Sequence, residues 1–324
     1  MFWGKSKAQT TDQTMSSTTP RIPESTALFQ NCEVLTTEWG SRVYLLGTNG
    51  FCKKCLLNIS KVIQQLQPSV VSLQCCSTRL DDIKLNEEDA LRKLQISSVS
   101  LYLRMLLTTL LGNGLVSALL FKQTVLNSQQ SGLASEADFR RALTEVKKIP
   151  NCKLHLADIP VEVLEEKSWG VPGVREKLTY ARRLYEKQQK QQSSPEDEHD
   201  RESDKEYRQC EIEREFSSLP AFKRIFISDR NRYLTYSLKK AAEPTPADKT
   251  PVVLGIVRNE HVEGIKANWD TVDLDADKLA TLEKNYALYE GLKYGAVIMT
   301  ITFFYTRRLR NRKAWDNYFN VKRR

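Results

Sequence analysis

Apolar positions along the chain alternate between short continuous runs and helical stripes. Residues 42–47 read Arg-Val-Tyr-Leu-Leu-Gly, a short apolar run ending in glycine, which suits a buried strand. Leu56, Ile59, Val62, Ile63 and Leu66 then recur at helical spacing, and Pro68 stops that helix. Residues 70–73, Val-Val-Ser-Leu, follow as a second strand. Strand, helix and strand in about thirty residues make a βαβ unit with two parallel strands.

Residues 99–126 are apolar with helical pattern and a break at Gly112 and Gly114; Arg104 and scattered polar residues favour a core helical hairpin over a membrane span. Residues 139–147 read as an amphipathic helix and residues 153–156 as a strand. Residues 186–215 are almost wholly charged or amide-bearing, which predicts an exposed linker or a solvated helix. A strand at Ile225, Phe226 and Ile227, a helix from about Asp229, a Pro- and Ala-containing loop over 241–250 and a strand over 252–257 complete the pattern. The fold class expected is α/β, a parallel or mixed sheet with flanking helices over 39–270, after a flexible polar leader at 1–38.

Composition changes this picture only at the ends. Hydrophobic residues make up 40% of the 324, enough for a globular core. The formal net charge is +9. Residues 307–324 hold eight Lys or Arg and one acid, Asp316, so the rest of the chain is nearly neutral. That distribution argues against a nucleic-acid groove. The seven cysteines are odd in number and follow no secretory signal, so a reducing compartment with free thiols is expected.

Open α/β sheets place their chemistry outside the C-terminal ends of the strands. The residues there are Gly47-Thr48-Asn49-Gly50, then Gln74-Cys75-Cys76 with Arg79 a turn later, then Ala157-Asp158-Ile159-Pro160. Asp229-Arg230-Asn231 follows the third apolar run, and Arg258-Asn259-Glu260-His261 with Gly264 and Ile265 follows the last strand.

Those segments carry a resemblance. VYLLGTNGF, IQQLQPSVVSLQCCSTRL, FRRALTEVKKIPNCKLHLADIPVEV, IFISDRNRYLTYSL and VVLGIVRNEHVEGIKANW resemble, in order, the successive blocks of the TraB family, over roughly residues 41–270. The third block is most similar to the eukaryotic branch. The family includes bacterial pheromone-shutdown proteins and organelle-anchored eukaryotic members. Its pattern has a GTxH after the first strand, a Glu after the second with an Arg close behind, a GDR, an ERD and a GxGHxxGI. The resemblance implies a TraB-like α/β fold whose two His and one Glu serve as metal ligands or acid/base groups.

This chain departs from the pattern at the residues that would do chemistry. Gly50 stands at the first His position and Gln74 at the Glu position. Ile159 replaces the Arg of GDR, and Asn231 the Asp of ERD. Arg258 and Glu260 replace the two glycines before His261. The survivors are Arg79, Asp158, Asp229, Arg230 and His261. One His does not make a catalytic metal site, and the change weighs against an enzyme. Two readings of the remnant remain open: an anion pocket lined by Arg79, Arg230 and Arg258, or structural pairing of these arginines with Asp158 and Asp229. The expected function is a non-catalytic, membrane-anchored adaptor or regulator with an unidentified protein partner. The alternatives are a residual hydrolase using His261, Asp158 and Asp229, and a thiol module.

The thiol alternative rests on Cys52 and Cys55, a CxxC opening the helix after the first strand, and on Cys75 and Cys76 after the second. If those strands are neighbours, four thiolates could hold a structural zinc, or the CxxC could be redox-active. Buried structural thiols are the competing reading, and no cofactor is otherwise expected. His155 is expected to be a satisfied core residue and His199 a solvated one.

Beyond 270, residues 271–287 read as a connector and 288–306 as a membrane tail anchor. The uninterrupted apolar part, 294–305, is only about a dozen residues, short of the roughly 20 of a full span. Aromatic residues cluster near both ends and a basic run follows from Arg307. A short apolar segment with strongly basic flanks resembles the tail anchors of mitochondrial outer-membrane proteins, and the TraB resemblance implies the same membrane. The main domain would face the cytosol.

Overall fold

The computed structural model describes residues 32–94, 114–193, 205–271 and 275–281. Strand β1 (Cys32–Thr36) leads into β2 (Arg42–Thr48), helix α1 (Lys53–Leu66) and β3 (Val70–Leu73). Helices α2 (Leu80–Lys84), α3 (Glu87–Leu94), α4 (Gly114–Ser131) and α5 (Ala137–Val146) come before β4 (Lys153–Leu156). Helices α6 (Val161–Gly170), α7 (Val174–Ser193), α8 (Lys205–Phe216), α9 (Pro220–Lys223) and α10 (Asp229–Ala241) precede β5 (Val252–Arg258), and α11 (Asn259–Asn268) follows it.

The strands form one sheet in the order β1-β2-β5-β3-β4. β1 pairs antiparallel with β2, and the other pairings are parallel. Alternation sorts the side chains onto two faces. Tyr44, Leu46, Val71, Leu73, Leu254 and Ile256 pack under α1 and α5. Val43, Leu45, Val253 and Val257 pack under α10 and α11 through Leu234, Leu238 and Ile265. Both faces are covered, so the central strands read as continuous apolar runs.

A third cluster stands apart from the sheet. Leu119 on α4, Tyr180 and Leu184 on α7, Phe216 on α8 and Phe222 on α9 pack together. Tyr180 lies 4.6 Å from the Phe222 ring, and Phe222 stacks on Phe226 at 5.7 Å.

One open condition is settled and three expectations are corrected. First, β2 and β3 are parallel, as expected, but β5 lies between them, so the neighbour condition attached to the thiol reading is not met. Second, the expected strand at Ile225–Ile227 is a π-helical turn, Arg224–Ser228, running straight into α10. No Gly or Pro interrupts the chain from Pro220, at the start of α9, to Ala241, so the helical course continues. A three-residue apolar run does not distinguish a strand from a buried helical turn; here Ile225 packs on Ile159 and Val163. Third, part of the supposed leader is β1. It is an edge strand of only five residues with Glu33 among them, too short and broken an apolar run to signal it, and Gly40 (φ 80°) makes the tight turn into β2.

Fourth, the charged stretch at 186–215 contains the end of α7 and most of α8, and part of it is buried. The Nε2 of the fully buried Gln188 donates to the Leu119 carbonyl at 2.7 Å. Gln191 donates to Asn127 and Gln130 of α4. Amides can be buried when their partners are supplied, and composition does not show that supply. Residues 1–31, 95–113, 194–204, 272–274 and 282–324 lie outside the described residues, and with them 99–113 of the expected hairpin, His199 and the expected anchor at 288–306. Among the described residues no helix is long and apolar enough to cross a membrane.

Candidate functional site

The C-terminal ends of β2, β3 and β5 deliver Thr48, Leu73 and Arg258 to one edge of the sheet. A cavity of about 510 Å³ opens there between the sheet and the helical cap. Asn49, Gly50, Glu136, Arg230 and Arg258 line its sheet side, and Leu120, Tyr180, Phe216 and Phe226 its cap side.

Arg258 dominates that edge. Its backbone N–H donates to the Gln74 side-chain oxygen at 2.7 Å. Its guanidinium donates to Asp138 at 2.5 Å and to Glu136 at 2.8 Å. The Phe139 ring lies beneath it, 4.6 Å from Cζ. The same guanidinium fills the space beside Gly50: a Cβ there would stand 2.5 Å from Nη1 and 2.8 Å from Cζ. Gly50 is therefore the residue that makes room for Arg258.

The other arginines extend the cluster. Arg79 pairs with Glu136 and, at 3.5 Å, with Asp158. Arg230 grips Asp158 with two hydrogen bonds, 3.2 and 2.6 Å. Three guanidinium groups thus face three carboxylates, Glu136, Asp138 and Asp158. The cluster is charge-balanced, and among these contacts each arginine has an acidic partner.

Burial and mutual charge set the ionisation. Burial weakens the charged form of Arg258, yet Asp138 and Glu136 outweigh it and raise its pKa. The same holds for Arg79 with Glu136 and Asp158. Burial raises the pKa of Asp138 despite Arg258, with Glu136 adding repulsion. His261 is fully buried, and burial first, then Arg230 and Arg258, drive its pKa well below the usual imidazole value. It is neutral. Nδ1 lies 2.7 Å from Asn231 Oδ1 and donates to it, and Nε2 has no partner among the described residues. Asn231 also crosses the face of Gly264, where a Cβ would collide with its amide.

The structure therefore brings Arg79, Asp158 and Arg230 together, adds Arg258, and ties Gln74 to it. It does not bring Asp229 into the cluster: that carboxylate faces Arg224 at 3.7 Å and Arg232 at 3.8 Å. Ile159 is a core residue, packed with Val163, Leu164 and Ile225. Glu260 is exposed on the first turn of α11, where a carboxylate suits the helix dipole. Sequence reasoning missed Glu136 and Asp138. They stand at the start of α5 rather than after a strand. Glu136 adopts a left-handed conformation (φ 64°), which residue type does not reveal.

The donor set does not fit a divalent cation. Position 50 offers no ligand, the Gln74 oxygen is taken by a backbone N–H, and two arginines already disfavour positive charge at His261. Among the described residues no group of three or more His, Cys, Asp or Glu is gathered to hold a metal. The thiols do not meet the condition set for a shared zinc either, since β5 separates the strands that carry them. Cys75 is buried, bonded to the Cys76 carbonyl at 3.1 Å, and pushed up to about 12 by burial. Cys76 faces Thr78 at 3.1 Å.

A human TraB domain-containing protein is 32% identical over 260 residues, covering 76% of this chain and 68% of the human protein. The chain belongs to the TraB domain family. Mouse and bovine TraB domain-containing proteins are similar at 31% and 30% identity over the same length. No family model matches the chain. In this chain the strand-end edge holds an arginine–carboxylate cluster. His155, outside that edge, bonds Ser237 at 2.9 Å, as expected for a satisfied core histidine.

Proposed function

We propose that this TraB domain is a non-catalytic adaptor or regulator, anchored through residues 288–306 to the mitochondrial outer membrane with its main domain in the cytosol. The observation that carries the non-catalytic reading is the position of Arg258. Its guanidinium takes the room beside Gly50 and neutralises Glu136 and Asp138, so a charge-paired plug stands where a catalytic cation would need open ligands. The membrane assignment is supported by the apolar segment with basic flanks and rests on sequence alone.

One observation favours the alternative, a residual hydrolase: the buried Nε2 of His261, a lone pair without a partner among the described residues. Purification followed by elemental analysis and peptidase assay separates the two. The adaptor reading expects no stoichiometric metal and no chelator-sensitive cleavage. Cleavage that a chelator stops and His261→Ala abolishes would sink it. For the anchor, deletion of 286–324 should release the protein from mitochondria; a truncated form that stays there disproves that assignment.

A further inference from the structure

We propose that Cys52 and Cys55 form a reversible intramolecular disulfide at the rim of the cavity, by exchange with a low-molecular-weight disulfide such as oxidised glutathione. Cys52 caps the N-terminus of α1, and Cys55 lies one turn on. Cys52 is the extended N-cap residue, and its side chain reaches the Cys55 thiol directly, so the two sulfurs are placed to bond. The two thiols are unbridged and hydrogen-bonded to each other. Both are partly exposed, so a small disulfide can reach them.

The surroundings divide the labour between the two sulfurs. Cys52 stands at the N-terminal end of α1, whose first turn holds no acidic residue, and it is the attacking sulfur. The hydrogen bond from Cys52, and then burial, raise the pKa of Cys55 and keep it protonated. Cys52 thiolate attacks one sulfur of the glutathione disulfide; a mixed disulfide forms and one glutathione thiolate leaves. Cys55 gives up its proton, which the departing thiolate takes, and attacks the Cys52 sulfur, expelling the second glutathione. Two protein thiols are oxidised and one external disulfide is reduced to two thiols.

The position gives the bridge a consequence. The Asn49 backbone N–H donates to Cys55, and the Cys52 N–H donates to the Asn49 carbonyl at 3.1 Å. Asn49, Gly50 and Phe51 line the cavity. A bond between the sulfurs therefore acts on the loop that shapes the cavity. This inference is independent of whether the arginine cluster is catalytic.

The test uses the full chain equilibrated against defined ratios of reduced and oxidised glutathione, with its seven thiols counted by alkylation. Two thiols should be lost together as the buffer becomes oxidising, and recovered on reversal. Trypsin cuts after Lys53 and Lys54, so without reduction the bridge should hold two peptides together in the mass spectrum. Cys55→Ser should trap glutathione on Cys52, and Cys75→Ser should leave the loss of two unchanged. Amide exchange over residues 48–52 should differ between the two forms. All seven thiols reactive at every ratio, a bridge mapping to other cysteines, or glutathione on Cys52 of the unmodified chain without a bridge would each overturn the site. Identical exchange in both forms would overturn its link to the cavity.

Discussion

Leu254 and Arg258 stand four residues apart on β5, and different physics holds each in place. Leu254 is fully buried between Tyr44, Val71 and the helices above them. Its contribution is non-directional burial, which tolerates small shifts and ignores pH. Arg258 is held by directed bonds to Asp138 and Glu136 and by a ring beneath it. Its worth lies in matching charges already removed from water. Removing one member of such a set costs more than the set contributes, because the partner stays buried and charged.

Arg258→Met should therefore give the largest loss of stability, roughly 3–5 kcal/mol, read as a shift in the urea midpoint. Asp138→Asn added to it should recover a large share, since the stranded charge is then gone. Leu254→Ala should cost about 2–5 kcal/mol, with no second-site change at Asp138 relieving it. A cost for Arg258→Met below about 0.5 kcal/mol, the range of ordinary surface changes, would mean that the cluster does not hold the edge together.

The two regions also differ in how far the sequence reveals them. The apolar runs at 42–47, 70–73 and 252–257 are strands, because two-sided burial writes itself as continuous hydrophobicity. Strand order is another matter. The placing of β5 between β2 and β3 depends on which connections pack together, and no local pattern encodes it. At the edge, the strand ends located Arg79, Asp158 and Arg258, and Arg230 was found after an apolar run that is a helical turn rather than a strand. The carboxylates opposite two of them, Glu136 and Asp138, come from a helix start far along the chain. Only tertiary packing brings them in, and Asp229, chosen because it follows an apolar run and matches the family's block, faces Arg224 and Arg232 instead.

A pH series separates the regions by a smaller effect. His261 has a pKa well below its ordinary value through burial, Arg230 and Arg258, so the folded state resists protonation there. Below about pH 6.5 the unfolded chain takes up a proton that the folded chain does not. The His261 contribution to stability should fall as pH drops from 7.5 to 5, by at most about 1.4 kcal/mol per pH unit, against an opposite contribution from Asp138, whose pKa is raised. His155, lowered by burial and Lys240, adds to the same window with the same sign. Urea midpoints of the His261→Gln variant should show a flatter profile than the unmodified chain. An unchanged slope would remove His261 from the account.

The smallest effect asks whether charge or geometry holds the cluster. Arg230 meets both oxygens of Asp158 through Nε and Nη2, and both side chains are largely buried. Arg230→Lys keeps the charge but replaces a planar fork with a single ammonium, so one of the two bonds is lost. The remaining charge and the Arg79 contact still neutralise Asp158. The expected cost is therefore that of one charge-assisted hydrogen bond, about 1.5 kcal/mol, well below that of Arg258→Met. Arg182 supplies the comparison, since it pairs with Glu186 at 2.7 Å on the exposed face of α7. Arg182→Lys should leave the urea midpoint within about 0.5 kcal/mol of the starting value. Equal costs at the two positions would show that the fork at Arg230 contributes no more than a solvated pair, and the cluster would then be a set of charges rather than a fitted structure.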